Sequence, residues 1–263
     1  MTAPNLQEHL MAVRRSGAGG VIPFISAGDP DLATTRDLLL ALDQAGAAAI
    51  EVGVPFSDPI ADGPVIQESS QRALASGTTL AGILELLSGL KGQLKAPLVL
   101  FSYLNPIDRM GFDAFATAAR EAGVSGVLLT DVLPGEEPGL EDALHRNGLA
   151  RIVLVAPTTP PARARALAAQ ASGFIYVIAR RGVTGAGAAE SEAPALVATL
   201  REVTDVPVYV GFGVSTRTDV ETIHAYADGA IVGSALVLKL HQTPVNERAA
   251  LAGAYLRGLL GEG

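Results

Sequence analysis

The chain has 263 residues, of which 49% are apolar and 17% are charged, and its formal net charge at pH 7 is −8. This length is compatible with one (β/α)8 barrel, which typically takes about 250 residues. The absence of cysteine excludes disulfides, thiolate metal sites and a thiol nucleophile, and the negative charge without a basic block argues against nucleic acid and anionic membranes as partners.

The first 17 residues contain no apolar core of the kind that a signal peptide needs, and their two arginines follow the apolar positions. No later run approaches the roughly 18 apolar residues that cross a membrane. We therefore expect a cytoplasmic protein that does not bind membranes.

Short apolar runs alternate with amphipathic segments of helical length along the whole chain. The predicted strands are Gly20–Ser26, Ala48–Val52, Leu98–Ser102, Gly126–Thr130, Arg151–Val155, Phe174–Ala179, Val208–Gly211 and Gly229–Val232. The predicted helices are Leu32–Ala45, Val65–Ala75, Leu80–Gly92, Phe112–Ala122, Glu136–Asn147, Ala162–Ala171, Glu192–Val203, Thr216–Tyr226 and Asn246–Leu260. Eight such repeats predict an α/β fold: a single (β/α)8 TIM barrel with extra helices, in which residues 1–263 form one domain.

One acidic residue ends the second predicted strand, and another follows in the next loop. Glu51 comes directly after an apolar run, and a buried carboxylate costs free energy unless it is paired, protonated or used. Asp62 lies eleven residues later, just before the Gly-Pro that opens a helix. The two form a candidate acid/base pair at the mouth of the barrel. From the residues alone, a structural ion pair at Glu51 and an ordinary turn at Asp62 remain alternatives.

Glycines follow the seventh and eighth predicted strands, where many barrels bind phosphate. Gly213 and the pair Gly233-Ser234 would let the backbone approach phosphate oxygens, with N–H groups of helix N-termini as donors. The alternative is two tight turns that simply need glycine. The loops Gly53–Gly63 and Arg180–Ser191 are too long for plain turns, and the glycine-rich second one is typical of a mobile lid.

All four histidines, His9, His145, His224 and His241, are expected in helices, away from the strand ends. We therefore expect neither a catalytic imidazole nor a metal site. Tyr103 follows the third predicted strand and Tyr176 lies within the sixth, and tyrosines at such positions more often line a wall than catalyse.

Taken together, these residues resemble the tryptophan synthase alpha subunit family over nearly the whole chain. The most specific motif is Glu51-Val-Gly-Val-Pro-Phe-Ser-Asp-Pro-Ile-Ala-Asp-Gly-Pro64. The supporting motifs are Pro23-Phe24, Gly28-Asp-Pro30, Tyr103-Leu-Asn-Pro106, Arg181-Gly-Val-Thr-Gly185, Gly211-Phe-Gly213 and Gly233-Ser234.

The resemblance implies a lyase of L-tryptophan biosynthesis that cleaves indole-3-glycerol phosphate to indole and glyceraldehyde 3-phosphate. Glu51 matches the general acid/base that protonates indole C3 and takes the proton of the glycerol hydroxyl. Asp62 matches the acid that stabilises the charge developing at the indole N–H. The matched substrate-binding residues are Phe24, Tyr103, Thr130, Tyr176, Thr184, Gly185, Phe212, Gly213, Gly233 and Ser234.

The resemblance also implies a partner, the tryptophan synthase beta subunit, in an alpha2-beta2 heterotetramer. The loop Pro55–Asp62 matches the face that meets this partner, which carries pyridoxal phosphate, whereas this chain needs no cofactor of its own. The alternatives are a stand-alone lyase that releases free indole, another sugar-phosphate barrel such as an isomerase, and a barrel that has lost activity and only binds. The isomerase would need histidines or a metal set at strand ends, and intact Glu51 and Asp62 argue against the inactive barrel.

Overall fold

The computed structural model describes residues 5–17, 19–179, 192–211 and 213–262. Within them, parallel strands close into a barrel whose order follows the chain, with the last strand paired to the first. The strands are β1 (Gly20–Ser26), β2 (Ile50–Gly53), β3 (Leu98–Ser102), β4 (Val124–Leu129), β5 (Ala150–Val155), β6 (Ile175–Ile178), β7 (Val208–Gly211) and β8 (Gly229–Val232). The predicted fold class is confirmed, and β1, β3, β7 and β8 have the predicted bounds.

Helices surround this barrel and alternate with its strands. They are α1 (Leu6–Ser16), α2 (Leu32–Gln44), α3 (Pro64–Ala75), α4 (Leu80–Gly89), α5 (Leu104–Met110), α6 (Phe112–Glu121), α7 (Pro138–Arg146), α8 (Pro161–Ala168), α9 (Ala193–Arg201), α10 (Arg217–His224), α11 (Ser234–His241) and α12 (Arg248–Leu260). The predicted helices end within a few residues of these bounds, as helix ends usually do.

Three helices, α1, α5 and α11, have no predicted bounds. In α5, the Asn-Pro pair is typical of a turn, but Pro106 falls in the first helical turn, where a missing N–H costs nothing. The exposed N–H of Leu104 is satisfied from another loop, because both carboxylate oxygens of Asp131 accept from it at 2.9 and 3.2 Å. A cap supplied by tertiary structure cannot be read from the local sequence.

Side chains alternate between two cores along each strand. On β2, Ile50 and Val52 pack against the helices, whereas Ala49 belongs to the barrel interior. Glu51 therefore points into the barrel as well, because residues two apart share a face. At the end where the strands begin, Leu6 and Leu10 of α1 pack into this interior and close it.

No helix in the described part of the chain is both long and apolar enough to span a bilayer. The four histidines lie in α1, α7, α10 and α11, as predicted. Among the described residues, no three histidine, aspartate or glutamate side chains are placed to share a metal ion.

Candidate active site

Glu51 lies inside the barrel with only 1% of its surface exposed. It is aligned with Phe24 of β1 on one side and with Val99 of β3 on the other, so apolar residues flank it along the sheet. Its Oε1 atom has no hydrogen-bond partner among the described residues. Burial raises the pKa of Glu51 to about 8, because desolvation penalises the charged form. The carboxyl group is therefore protonated near neutral pH and can act as an acid.

Asp62 is placed by the loop that joins β2 to α3, and it contacts Tyr103 at the end of β3. The Tyr103 hydroxyl donates to Asp62 Oδ2 at 3.1 Å and accepts from the backbone N–H of Ala61 at 3.0 Å. Burial raises the pKa of Asp62 to about 6, while the hydrogen bond from Tyr103 lowers it. Asp62 is consequently ionised at neutral pH, whereas Glu51 is not. Two carboxyl groups with separated pKa values can take separate acid/base roles.

Aromatic residues neighbour both acids, since Phe24 is aligned with Glu51 and Tyr103 donates to Asp62. Phe24 meets Phe101 edge to face, with ring centroids 5.2 Å apart, and Phe56 stacks on Tyr103 at 5.0 Å. Offset and edge-to-face pairs of this kind are favourable and leave apolar faces for a flat ligand. The wall therefore suits an aromatic substrate.

Tyr176 of β6 stands across the barrel from β2. Burial raises its pKa, and the negative charges of Glu51 and Asp62 raise it further, so its hydroxyl lies within the field of both carboxyl groups. A Cβ added at Gly211 would come within 2.4 Å of this hydroxyl. A glycine at that point of β7 leaves the space that the tyrosine ring occupies.

The predicted phosphate-binding residues lie at the same end of the barrel. Gly233 follows β8 and directly precedes α11, whose first residue is the exposed Ser234. No side chain caps this helix, so its first N–H groups are available to an anion. A Cβ added at Gly233 would lie 3.7 Å from that of Phe24, which places the helix beside the aromatic wall. Gly213, after β7, has a φ of +73° that glycine adopts readily.

Two further residues follow β4. Thr130 is partly buried, and contact with its hydroxyl lowers the pKa of Tyr103, which burial raises. Asp131 caps α5, as described above, so the role that the structure gives it is local and structural.

Three predicted site residues, Thr184, Gly185 and Phe212, lie outside the described residues, as does the loop Arg180–Ser191. The structure brings together the other predicted residues at one end of the barrel. Two residues of α3 that contact this site, Gln67 and Ser70, were not predicted from the sequence. Both contact the loop of Asp62.

Comparisons with known proteins agree with this geometry. The family model described as "Tryptophan synthase alpha chain" matches residues 10–257. A tryptophan synthase alpha chain from Laribacter hongkongensis is 45% identical over 254 residues, covering 94% of this chain and 96% of that protein. One from Synechococcus sp. (strain CC9902) is 44% identical over 245 residues, covering 92% of this chain and 91% of that protein.

Solved structures give the same result. Tryptophan synthase subunit alpha from Legionella pneumophila superposes with a TM-score of 0.88 at 32% identity, covering 100% of this chain and 98% of the other. A chain of tryptophan synthase from M. tuberculosis, in its aminoacrylate-bound form, superposes with a TM-score of 0.86 at 34% identity, covering 98% of this chain and 100% of the other.

Proposed function

The chain belongs to the tryptophan synthase alpha chain family, and we propose that Glu51 and Asp62 carry out the family's reaction in it. That reaction is the lyase half-reaction of tryptophan synthase, in which indole-3-glycerol phosphate is cleaved to indole and glyceraldehyde 3-phosphate. The match over nearly the whole chain favours this subunit over a stand-alone lyase. The observation that carries the proposal is the unpaired carboxyl group of Glu51 inside the barrel.

Cleavage needs one proton delivered to a ring carbon and one removed from an alcohol. Protonated Glu51 gives its proton to indole C3, which leaves positive charge on the indole nitrogen. The resulting carboxylate takes the proton of the adjacent glycerol hydroxyl, and the carbonyl of the aldehyde forms. The electron pair of the broken carbon–carbon bond returns to the ring, so Glu51 ends protonated and ready for another turnover.

Asp62 stabilises the cationic intermediate. Its carboxylate is ionised above a pKa of about 6, and a negative charge held near the indole nitrogen is worth most where water is excluded. Tyr103 keeps this carboxylate in place through its hydrogen bond of 3.1 Å.

The remaining predicted residues bind the two ends of the substrate. Phe24, Tyr103, Thr130 and Tyr176 line the indole and glycerol pocket. The phosphate binds the backbone N–H groups at Gly213, Gly233 and Ser234, with Gly185 and Phe212 completing that end. Thr184 matches the family's residue that orders the site and links it to Asp62. The free N-terminus of α11 supports this assignment, because aligned N–H groups attract anions.

The family implies a tryptophan synthase beta subunit as partner, and we place the loop Pro55–Asp62 at that contact. Ile60 in this loop is 86% exposed, a high value for a large apolar side chain. The complex is an alpha2-beta2 heterotetramer in the cytoplasm, and pyridoxal phosphate belongs to the beta subunit. Residues 1–263 act as one domain, and the alpha reaction uses no cofactor.

Indole formation from indole-3-glycerol phosphate tests the proposal. The purified chain should release indole, and a tryptophan synthase beta subunit should increase the rate. Equal rates with and without the partner would contradict the proposed complex. Retention of the full rate in Glu51→Gln would contradict the role of Glu51.

A further inference from the structure

The loop that carries Asp62 has little backbone structure of its own. Between Val54 and Gly63, its internal backbone hydrogen bonds run from Ile60 N–H to the Asp58 carbonyl (2.9 Å) and from Asp62 N–H to the Pro59 carbonyl (3.1 Å). Most of its tip is exposed to solvent. Side chains from outside the loop must therefore fix its conformation, because an exposed segment with few bonds samples many conformations.

Gln67 of α3 binds the end of this loop. Its Nε2 amide donates to the carbonyl of Asp62 itself at 2.8 Å and to the carbonyl of Pro59 at 3.3 Å. The side chain is partly buried and reaches back from the first turns of the helix. One amide thus fixes the backbone of the residue whose carboxylate faces the active site.

Ser70, one turn further along α3, binds the beginning of the same loop. Its buried hydroxyl accepts from the N–H of Phe56 at 2.9 Å and lies 3.2 Å from the carbonyl of Phe56. The Phe56 ring stacks on Tyr103, and Tyr103 donates to Asp62. Ser70 is therefore linked to the carboxylate of Asp62 indirectly, through Phe56 and Tyr103.

We infer that Gln67 and Ser70 are positioning residues that fold the β2–α3 loop over α3 and so hold Asp62 at the substrate. The inference rests on the proposed role of Asp62. Neither residue touches the reacting atoms. A small displacement of a group that stabilises the transition state can cost up to about a hundredfold in rate, so the loss of either contact should reduce turnover.

The test measures kcat and KM for indole-3-glycerol phosphate in variants of the full chain. We expect Gln67→Ala and Ser70→Ala each to lower kcat about tenfold and to change KM by no more than about twofold, because the lost contact matters in the transition state. Gln67→Glu keeps the size of the side chain but removes its donors, so it should show the same loss.

Two matched controls lie on the same helix. Gln71 is exposed, and the buried hydroxyl of Ser69 pairs with Ser26 (2.6 Å) and with the Ile66 carbonyl (2.8 Å) instead of the loop. Gln71→Ala and Ser69→Ala should keep kcat within about twofold of the unmodified chain. A tenfold loss in Ser69→Ala would show that any disturbance of α3 lowers turnover, and it would overturn the inference.

A double-mutant cycle separates positioning from general stability. If Gln67 acts through Asp62, Gln67→Ala should cause no further loss in an Asp62→Asn background, measured with enzyme in excess over substrate. An equal tenfold loss in both backgrounds would overturn the inference. Unchanged kcat in Gln67→Ala and Ser70→Ala, with Asp62→Asn impaired, would overturn it while leaving the proposed function intact. Full activity in Asp62→Asn would instead overturn the proposed role of Asp62.

Discussion

Each end of the barrel buries a carboxyl group, but one of the two groups has several polar partners and the other has an oxygen with none among the described residues. At the end where the strands begin, Asp228 is 7% exposed. It accepts from Arg201 at 2.9 Å and from the N–H of Val208 at 2.8 Å, and it forms an ion pair with Arg14 at 3.2 Å. At the end where the strands finish, Glu51 is 1% exposed, and its Oε1 has no partner among the described residues.

This difference separates structural from chemical use of an acid. Asp228 joins helices to a strand through its partners, whereas an unpartnered carboxyl group in an apolar place, such as Glu51, keeps its proton. The proposed role of Glu51 as proton donor uses this retained proton, and burial of the group lowers the stability of the folded state at high pH.

The largest expected effect is on turnover in Glu51→Gln. General acid and base steps contribute about 10² to 10⁴ each, so kcat should fall by at least about 10³ when both are lost. Binding of a phosphate-bearing ligand should stay within about a fewfold, because the glutamine fills the same space. Calorimetric titration with glyceraldehyde 3-phosphate measures this binding, and its loss would indicate a disturbed fold.

The same variant should be more stable than the unmodified chain at high pH. The folded state holds the Glu51 proton up to a pKa of about 8, whereas the usual value is 4.5, so unfolding releases a proton between these values. The free energy of unfolding contributed by Glu51 therefore falls as pH rises through this window. The gain in Tm from Glu51→Gln should be small near pH 4.5 and largest above pH 8, and a gain independent of pH would contradict the account.

Removal of the paired acid Asp228 should lower the stability of the chain but leave its turnover nearly unchanged, the reverse of the effects expected for Glu51→Gln. Asp228→Ala breaks two ion pairs and leaves the N–H of Val208 without its acceptor, so we expect a loss of about 2 kcal/mol in the free energy of unfolding. Urea unfolding measures it. The folded variant should keep kcat within about twofold, and a large loss of kcat with unchanged stability would show that Asp228 acts in the reaction.

A charge placed beside the phosphate site should weaken substrate binding. The 3.7 Å space at Gly233 accepts a Cβ, so Gly233→Asp can fold, and its carboxylate would repel the phosphate. We expect KM to rise about tenfold relative to Gly233→Asn, which has the same shape without the charge. Equal KM values in the two variants would place the phosphate elsewhere.

The smallest expected effect is a shift in the pH profile. Because the Tyr103 hydrogen bond lowers the pKa of Asp62, Tyr103→Phe should raise it above its present value of about 6. The acid limb of kcat/KM should then move to higher pH, since ionised Asp62 is the active form. Tyr255→Phe removes a hydroxyl that donates to the Ser215 carbonyl, away from the site, and should leave the limb unchanged.

The alternation of apolar runs and helices was sufficient to predict the barrel, because buried parallel strands are short, apolar and bounded by turns. The local sequence could not reveal α5, whose first N–H is capped by Asp131 from the following βα loop. It also gave no signal for Gln67 and Ser70. A polar residue on a helix normally faces water, and only the folding of the loop back over α3 gives these two their partners.

The sequence was sufficient to select Glu51 and Asp62 as candidate acids, but not to predict which side chains surround them. Glu51 stands out because a carboxylate at the end of an apolar strand is costly. The sequence could not decide whether an arginine or a lysine pairs with it, since pairing depends on residues from other strands. Asp228 illustrates the point. It directly precedes an apolar strand, and its partners Arg14 and Arg201 reach it from the distant helices α1 and α9.

Infrared titration of the empty chain tests the central claim most directly, as the difference between the unmodified protein and Glu51→Gln. The account predicts a protonated carboxyl signal that belongs to Glu51 and persists through neutral pH, disappearing at about pH 8. A Glu51 that ionises near its usual value of 4.5 would show that the carboxyl group is paired or solvated. That result would contradict its proposed role as the proton donor.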